Sequence, residues 1–265
     1  MSTPRIPGRR FLHSPGPTPL PDAVLHAMSV QPMDHRRPAP AMPASKHAAR
    51  LGALLHTDAS ELLLYASSGH GVWEAVIENL AAPGQAFLIP GTGHFSSRGR
   101  CKPKPWGAVS CARRGARVGP SMRLRSNRHC ATTARTRWWL CWPCTPTPPA
   151  GVTSDLAAMR RAIDAARHPA LLVADVVASL GAAPFAMDTL GVDIAVGASQ
   201  KGPDVPAGRG ASSRSTTRRW RWPERCTAPR FLWDWVRRRR RLVVPQILRH
   251  TSAELCCSAS RRLCR

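Results

Sequence analysis

Apolar and polar positions follow recognisable periods over residues 11–98 and 151–204, and lose them over 99–149 and 209–265. "ELLLYAS" (61–67) is a short apolar run that reads as a strand. "GVWEAVIENLAAPG" (71–84) follows with helical spacing and a Pro-Gly stop. "SDLAAMRRAIDAARHP" (154–169) predicts an amphipathic helix, with Ser154 as N-cap and Leu156, Met159 and Ile163 on one face. "ALLVADVVASLG" (170–181) predicts a buried strand of the parallel type, and "VDIAV" (192–196) is a second apolar run. Strand, helix and strand in alternation are the βαβ texture of an α/β fold.

Composition changes this picture in the aperiodic stretches. The 265 residues carry a net charge of +24, from 39 Lys+Arg against 15 Asp+Glu. Taken alone, that points to a polyanionic partner such as nucleic acid. The charge is unevenly placed, however: Cys101 to Ala150 holds no acid, and after Asp204 the acids are Glu224, Asp234 and Glu254. A nucleic-acid module would carry its basic patch on a periodic, folded element, whereas "RSTTRRWRWPERC" and "VRRRRRLVV" have no sustained period. The bland reading of these stretches is a basic disordered arm. The specific one is translation of GC-rich DNA in a wrong frame, which overproduces Arg, Pro, Ala, Cys and Trp. All nine cysteines lie beyond residue 100, no secretory pattern opens the chain, and no apolar run is long enough to span a bilayer. The expectation is a cytoplasmic protein without disulfides or membrane partner.

Candidate chemistry gathers at the ends of the periodic strands. In "YASSGHGVWEAV" a strand ends, Ser68-Gly69-His70 turns, and a helix begins. Free N–H groups at a helix start, with the Ser68 hydroxyl, suit an anion, although many such turns bind nothing. Asp175 ends an apolar strand, either as a solvent-facing or salt-bridged acid or as part of a site. Lys201 follows "VDIAVGASQ" in the same way. An acid and a lysine, each after a strand and downstream of a phosphate-type turn, fit the rule that open α/β sheets bind ligands at strand C-termini.

At these residues the chain resembles the class V, pyridoxal-phosphate-dependent aminotransferases, nearest the alanine–glyoxylate/serine–pyruvate group. "HSPGPTPLPDAVLHAM" with "MDHR" resembles the family's opening. "SSGHGVWEA", "PGQAFLIPGTGHF", "VADVVASLGAAPFAMD" and "GVDIAVGASQKG" resemble its successive site blocks. The resemblance covers residues 11–98 and 151–208. It implies the type I pyridoxal-phosphate aminotransferase fold: an incomplete α/β large domain with a mostly parallel central sheet. It also implies transamination between a small amino acid (alanine or serine) and a 2-oxo acid (glyoxylate or pyruvate). Residue by residue, it makes Lys201 the catalytic lysine that bonds to pyridoxal 5'-phosphate. Asp175 becomes the partner of the pyridine nitrogen. Ser68, Gly69 and His70 hold the phosphate, with Gln200 assisting. Phe95 stands where the family stacks an aromatic ring on the pyridine, and reads equally as an ordinary core ring. A homodimer is implied, with no metal and no nucleic acid. A cysteine desulfurase is the lesser alternative within the fold; it would need an in-frame cysteine on a mobile loop, and none is visible.

The genetic code offers a check on the aperiodic stretches. With permitted codons, "ILRHTSAEL" (247–255) read one base later gives Phe-Cys-Gly-Thr-Pro-Pro-Gln-Asn, resembling the family's cofactor-contacting Thr-Pro block. "WWLCWPCTPTPPA" (138–150) read two bases later gives an apolar strand and polar turn. "GASSRSTTRRWRW" (210–222) read two bases later gives Gly-Phe-Val-Ala-Val-Asn-Asp-Lys-Ala-Leu-Ala-Leu, and "CKPKPWG" gives Gln-Ala-Glu-Ala-Leu-Gly. Four matches at their expected places make frameshifts the reading. The expected organisation is an N-terminal arm (1–20), a cofactor-binding domain (21–235) and an out-of-frame tail (236–265). Within the domain, 99–149 and 209–223 are out of frame and 224–235 is briefly back in it. The small C-terminal domain is expected to be absent and the chain as written inactive. Cys141-x-x-Cys144, Cys256-Cys257 and Arg237–Arg241 are then products of the frame rather than redox or phosphate-binding motifs.

Overall fold

A computed structural model describes residues 14, 16–29, 31, 50–58, 60–81, 86–89, 109–111, 153–208, 210–215, 230 and 232–236. Helix α1 spans Asp22–Met28 and precedes strand β1, Ser60–Tyr65. Helix α2, Gly69–Leu80, follows after a three-residue turn. Two short strands, β2 (Ala86–Leu88) and β3 (Val109–Cys111), pair in parallel as a separate ribbon. Helix α3, Leu156–Ala165, then leads to β4 (Val173–Asp175), β5 (Ile194–Ala198) and β6 (Gly210–Ser215).

The main sheet has the order β1-β6-β5-β4. Strands β4 and β5 are parallel, with Asp175 opposite Val196. Strand β6 is antiparallel to both β5 and β1, so β1, β5 and β4 share one direction and β6 opposes them. Every residue of β4 and β5 is buried, as strands covered on both faces must be. On one face α2 supplies Val72, Trp73, Val76 and Ile77 against Leu63, Tyr65, Val173, Ile194 and Val196. On the other, Leu156 and Ile163 of α3 pack with Leu172, Ala174 and Ala195. This is the α/β layering that the βαβ texture predicts, with an intervening antiparallel strand.

The α3 start differs in detail from expectation. Asp155, not Ser154, is the N-cap, and its carboxylate accepts from the Ala158 N–H at 2.8 Å. Both residue types can cap; Asp155 stands three residues before the amide that needs an acceptor, while the Ser154 side chain turns inward and is buried. From the stretch read as back in frame, Trp235 inserts into the α2 layer at 1% exposure. Its indole donates to Tyr65 Oη at 2.7 Å and its backbone N–H to Asn79 Oδ1 at 3.0 Å. From the stretches read as out of frame, only β3 and β6 and part of the Trp235 helical turn are described, so the expected poor packing of 99–149 and 236–265 lies almost wholly outside the described residues.

Candidate functional site

The C-terminal ends of β4 and β5 lie side by side because the strands are parallel neighbours, and the loops after them meet. Gly202 packs on the backbone of Leu180 and Gly181, joining the turn after β5 to the turn after β4. Above both, Gly69 at the start of α2 rests against the side chains of Val177 and Ala198. One strand end, its neighbour and one helix start thus converge on the same edge of the sheet.

Each part of this edge has its own chemistry. Ser68 is the N-cap of α2 in extended conformation, exposed, and its side chain makes no capping hydrogen bond. The N–H groups of the first helical turn are therefore uncapped by Ser68, with the helix dipole behind them. Gly69 is buried and His70 exposed. Asp175 is buried at 9% exposure and is held by two donors from different elements. Trp73 Nε1 of α2 donates to Oδ2 at 3.0 Å, and the Val177 N–H donates to Oδ1 at 2.9 Å. Buried carboxylates need such partners to remain charged.

Gln200 and Lys201 lie in the turn after β5. Lys201 is partly buried, and that desolvation pushes its amine below the usual lysine value. Its backbone is clamped from the N-terminal segment: the Thr18 hydroxyl donates to the Lys201 carbonyl at 3.2 Å and the Thr18 N–H to the Gln200 carbonyl at 3.1 Å. Gly16 has φ +123° and faces the lysine stem, so that a Cβ there would lie 2.8 Å from Lys201 Nζ; only glycine fits. Gln200 Oε1 is buried without a hydrogen-bond partner among the described residues. An amide can turn to offer either its oxygen or its NH2, so this orphaned end suits a polar group from outside the chain.

Of the residues singled out in sequence, Ser68, Gly69, His70, Asp175, Gln200 and Lys201 all fall on this edge, and Phe95 lies outside the described residues. Sequence reasoning missed Trp73, Thr18 and Gly16. A signal existed for Trp73: an indole on the apolar face of a helix needs an acceptor for its N–H once buried. Nothing local marks Thr18, whose partners are 182 and 183 residues away.

Comparison with known proteins agrees with this geometry. No protein-family model matches the chain. It is 36% identical over 212 residues to the L-aspartate–glyoxylate aminotransferase of Paracoccus denitrificans, covering 73% of this chain and 49% of that one. It is 33% identical over 224 residues to the serine–glyoxylate aminotransferase of Methylorubrum extorquens, covering 79% and 52%. The chain thus spans about half the length of the curated relatives it matches. Among solved structures, the alanine–glyoxylate aminotransferase of a Nostoc species superposes with a TM-score of 0.78 at 23% identity, covering 100% of this chain and 69% of that one. The sequence kinship and the shared fold together assign the chain to the class V, pyridoxal-phosphate-dependent aminotransferase family.

Proposed function

We propose that this chain carries the cofactor-holding half of a transaminase that uses glyoxylate as amino acceptor and a small amino acid (serine, alanine or aspartate) as donor. The supporting observation is the convergence of the α2 start, Asp175 and the Lys201 turn on one edge of the sheet. The relatives' names supply the substrate class. A basic nucleic-acid-binding role has no comparable support.

The residues present fit pyridoxal 5'-phosphate. Ser68, with the Gly69 and His70 N–H groups, would receive the phosphate at a helix start, and Gln200 would spend its orphaned amide there. Asp175, held by two N–H donors, would face the pyridine nitrogen and favour its protonation. When bound, the cofactor supplies an electron-withdrawing ring able to accept the electrons left when a substrate Cα–H bond breaks. Lys201 then has two tasks. Its amine, lowered by desolvation and so more often neutral, would be the group that bonds to the cofactor when it is bound, and would later carry the proton from the substrate Cα. Phe95 is proposed to stack on the ring. The reading carries with it a homodimeric, cytoplasmic enzyme. It also treats 99–149, 209–223 and 236–265 as out-of-frame stretches that leave turnover by the chain as written negligible.

Incubation with pyridoxal 5'-phosphate, borohydride reduction and peptide mass spectrometry test the assignment. The expected result is one modified peptide containing Lys201, lost in Lys201→Ala and formed faster as pH rises, with a midpoint below that of a free lysine. Modification spread over surface lysines, unchanged in Lys201→Ala, would refute it.

A further inference from the structure

Trp73 is part of the buried layer between α2 and the main sheet. It sits in the second turn of α2, four residues after Gly69, with 1% of its surface exposed. Its indole N–H points out of the α2 layer and ends on Asp175 Oδ2 at 3.0 Å, a bond between residues 102 positions apart. The other carboxylate oxygen is tied locally, by the N–H of Val177. The backbone bond alone leaves the carboxyl free to swing about χ2; the second donor, from a different element, fixes its plane. An ionised carboxylate has about four lone-pair sites, so it can accept from both donors at once.

The same helix therefore does two things. Its N-terminus faces the edge with Ser68, Gly69 and His70, and its second turn grips the acid at the end of β4. A ligand held by phosphate at one end and by ring nitrogen at the other would have both anchor points referred to one rigid helix. From this geometry, and resting on the cofactor reading above, we infer that Trp73 is a positioning residue. Through its indole N–H it orients Asp175 toward the ring nitrogen and sustains the charge of that acid. Phenylalanine in its place would fill most of the same volume while leaving Oδ2 without this donor.

The test uses the whole chain and pyridoxal 5'-phosphate labelled with 15N in the ring, whose chemical shift separates protonated from neutral nitrogen. Asp175→Asn sets the signature of a lost partner. Trp73→Phe is expected to move the 15N signal toward that signature and to weaken cofactor binding roughly tenfold, which corresponds to about 1.4 kcal/mol. Trp233→Phe serves as the control for loss of an ordinary aromatic contact. Trp233 lies edge-on to Tyr65, with ring centroids 5.4 Å apart, and its replacement should leave the 15N signal as in the parent protein. Should Trp73→Phe fail to fold, benzothienylalanine at position 73 removes the N–H and keeps the outline of the indole. A parent-like 15N shift and affinity in the donor-free variant would overturn the role of Trp73 alone. Failure of the parent chain to bind the cofactor would instead overturn the reading on which it rests.

Discussion

Replacing Ser213 with alanine should make this protein more stable, although a polar residue is lost from the middle of its sheet. Ser213 is 1% exposed, in β6, directly between Leu62 of β1 and Ala195 of β5. Its hydroxyl is buried with no hydrogen-bond partner among the described residues. A buried, unsatisfied polar group costs about 1–3 kcal/mol relative to a satisfied or apolar one. Alanine removes that cost without adding volume, and the void left by one oxygen is small. A net gain of roughly 1 kcal/mol is expected, which at a urea m-value of about 2 kcal/mol/M is a midpoint rise of about 0.5 M. The neighbouring residue supplies the contrast. Ser212 points to the other face, between Leu63 and Val196, and shares a hydrogen bond of 3.0 Å with Tyr65 Oη. Ser212→Ala should therefore lose about 0.5–1.5 kcal/mol. Urea unfolding followed by Trp fluorescence distinguishes the two. Equal destabilisation by both changes would refute the account of the β6 hydroxyls.

Three further outcomes are expected. Asp193→Asn breaks a buried pair: Arg160 Nη1 lies 3.1 Å from Asp193 Oδ2, which also accepts from the Leu172 N–H at 2.8 Å. Removal of one buried charge should cost about 3–5 kcal/mol in the same unfolding assay, and a loss under 1 kcal/mol would contradict it. Burial, with Glu74 beside it, raises the carboxyl of Glu78 above its usual value against a smaller opposing effect of Arg230. The ionised form is thus disfavoured in the folded state, and Glu78→Gln should stabilise by less than about 1 kcal/mol at neutral pH. That advantage should fade as pH falls through the raised folded value and vanish below the unfolded one; a gain that grows on acidification would reverse the sign. Recoding residues 209–223 in the shifted frame should raise the thermal midpoint, and a lower midpoint or insolubility would count against the frame assignment.

What was legible in sequence depended on whether a period ran long enough to be read. "ELLLYAS" became β1, "GVWEAVIENL" became most of α2, and Leu156 and Ile163 sit on the buried face of α3 as their spacing requires. The apolar run 170–181 predicts one strand, whereas the strand that forms within it is Val173–Asp175. Beyond it the chain turns, with Leu180 N–H bonded to the Val176 carbonyl at 2.9 Å, which hydrophobicity alone does not distinguish from continued strand. The candidate residues on the sheet edge were legible because they follow the ends of periodic strands. Their supports were not, because Trp73–Asp175 and Thr18–Lys201 are contacts between distant parts of the chain.

Strand β6 is fully paired although its side chains suit the position poorly. It joins β1 to β5 through two full antiparallel ladders, yet its sequence, "GASSRS", has no strand period and places two buried hydroxyls in apolar layers. Backbone hydrogen bonding is indifferent to side chains, so a gap between two apolar strands is filled by whatever chain passes through it. Glycine is the exception, because a Cβ at Gly210 would collide with Val72. The shifted reading, Gly-Phe-Val-Ala-Val-Asn, also opens on glycine. It would then put valine where Ser212 stands, beside Leu63 and Val196, and alanine where Ser213 stands, beside Leu62 and Ala195. Those are residues of the size and polarity that the two layers around them require. A change of frame at this strand is thus a proposal that recoding can test, and the expected outcome is better packing of β6 between its two apolar neighbours.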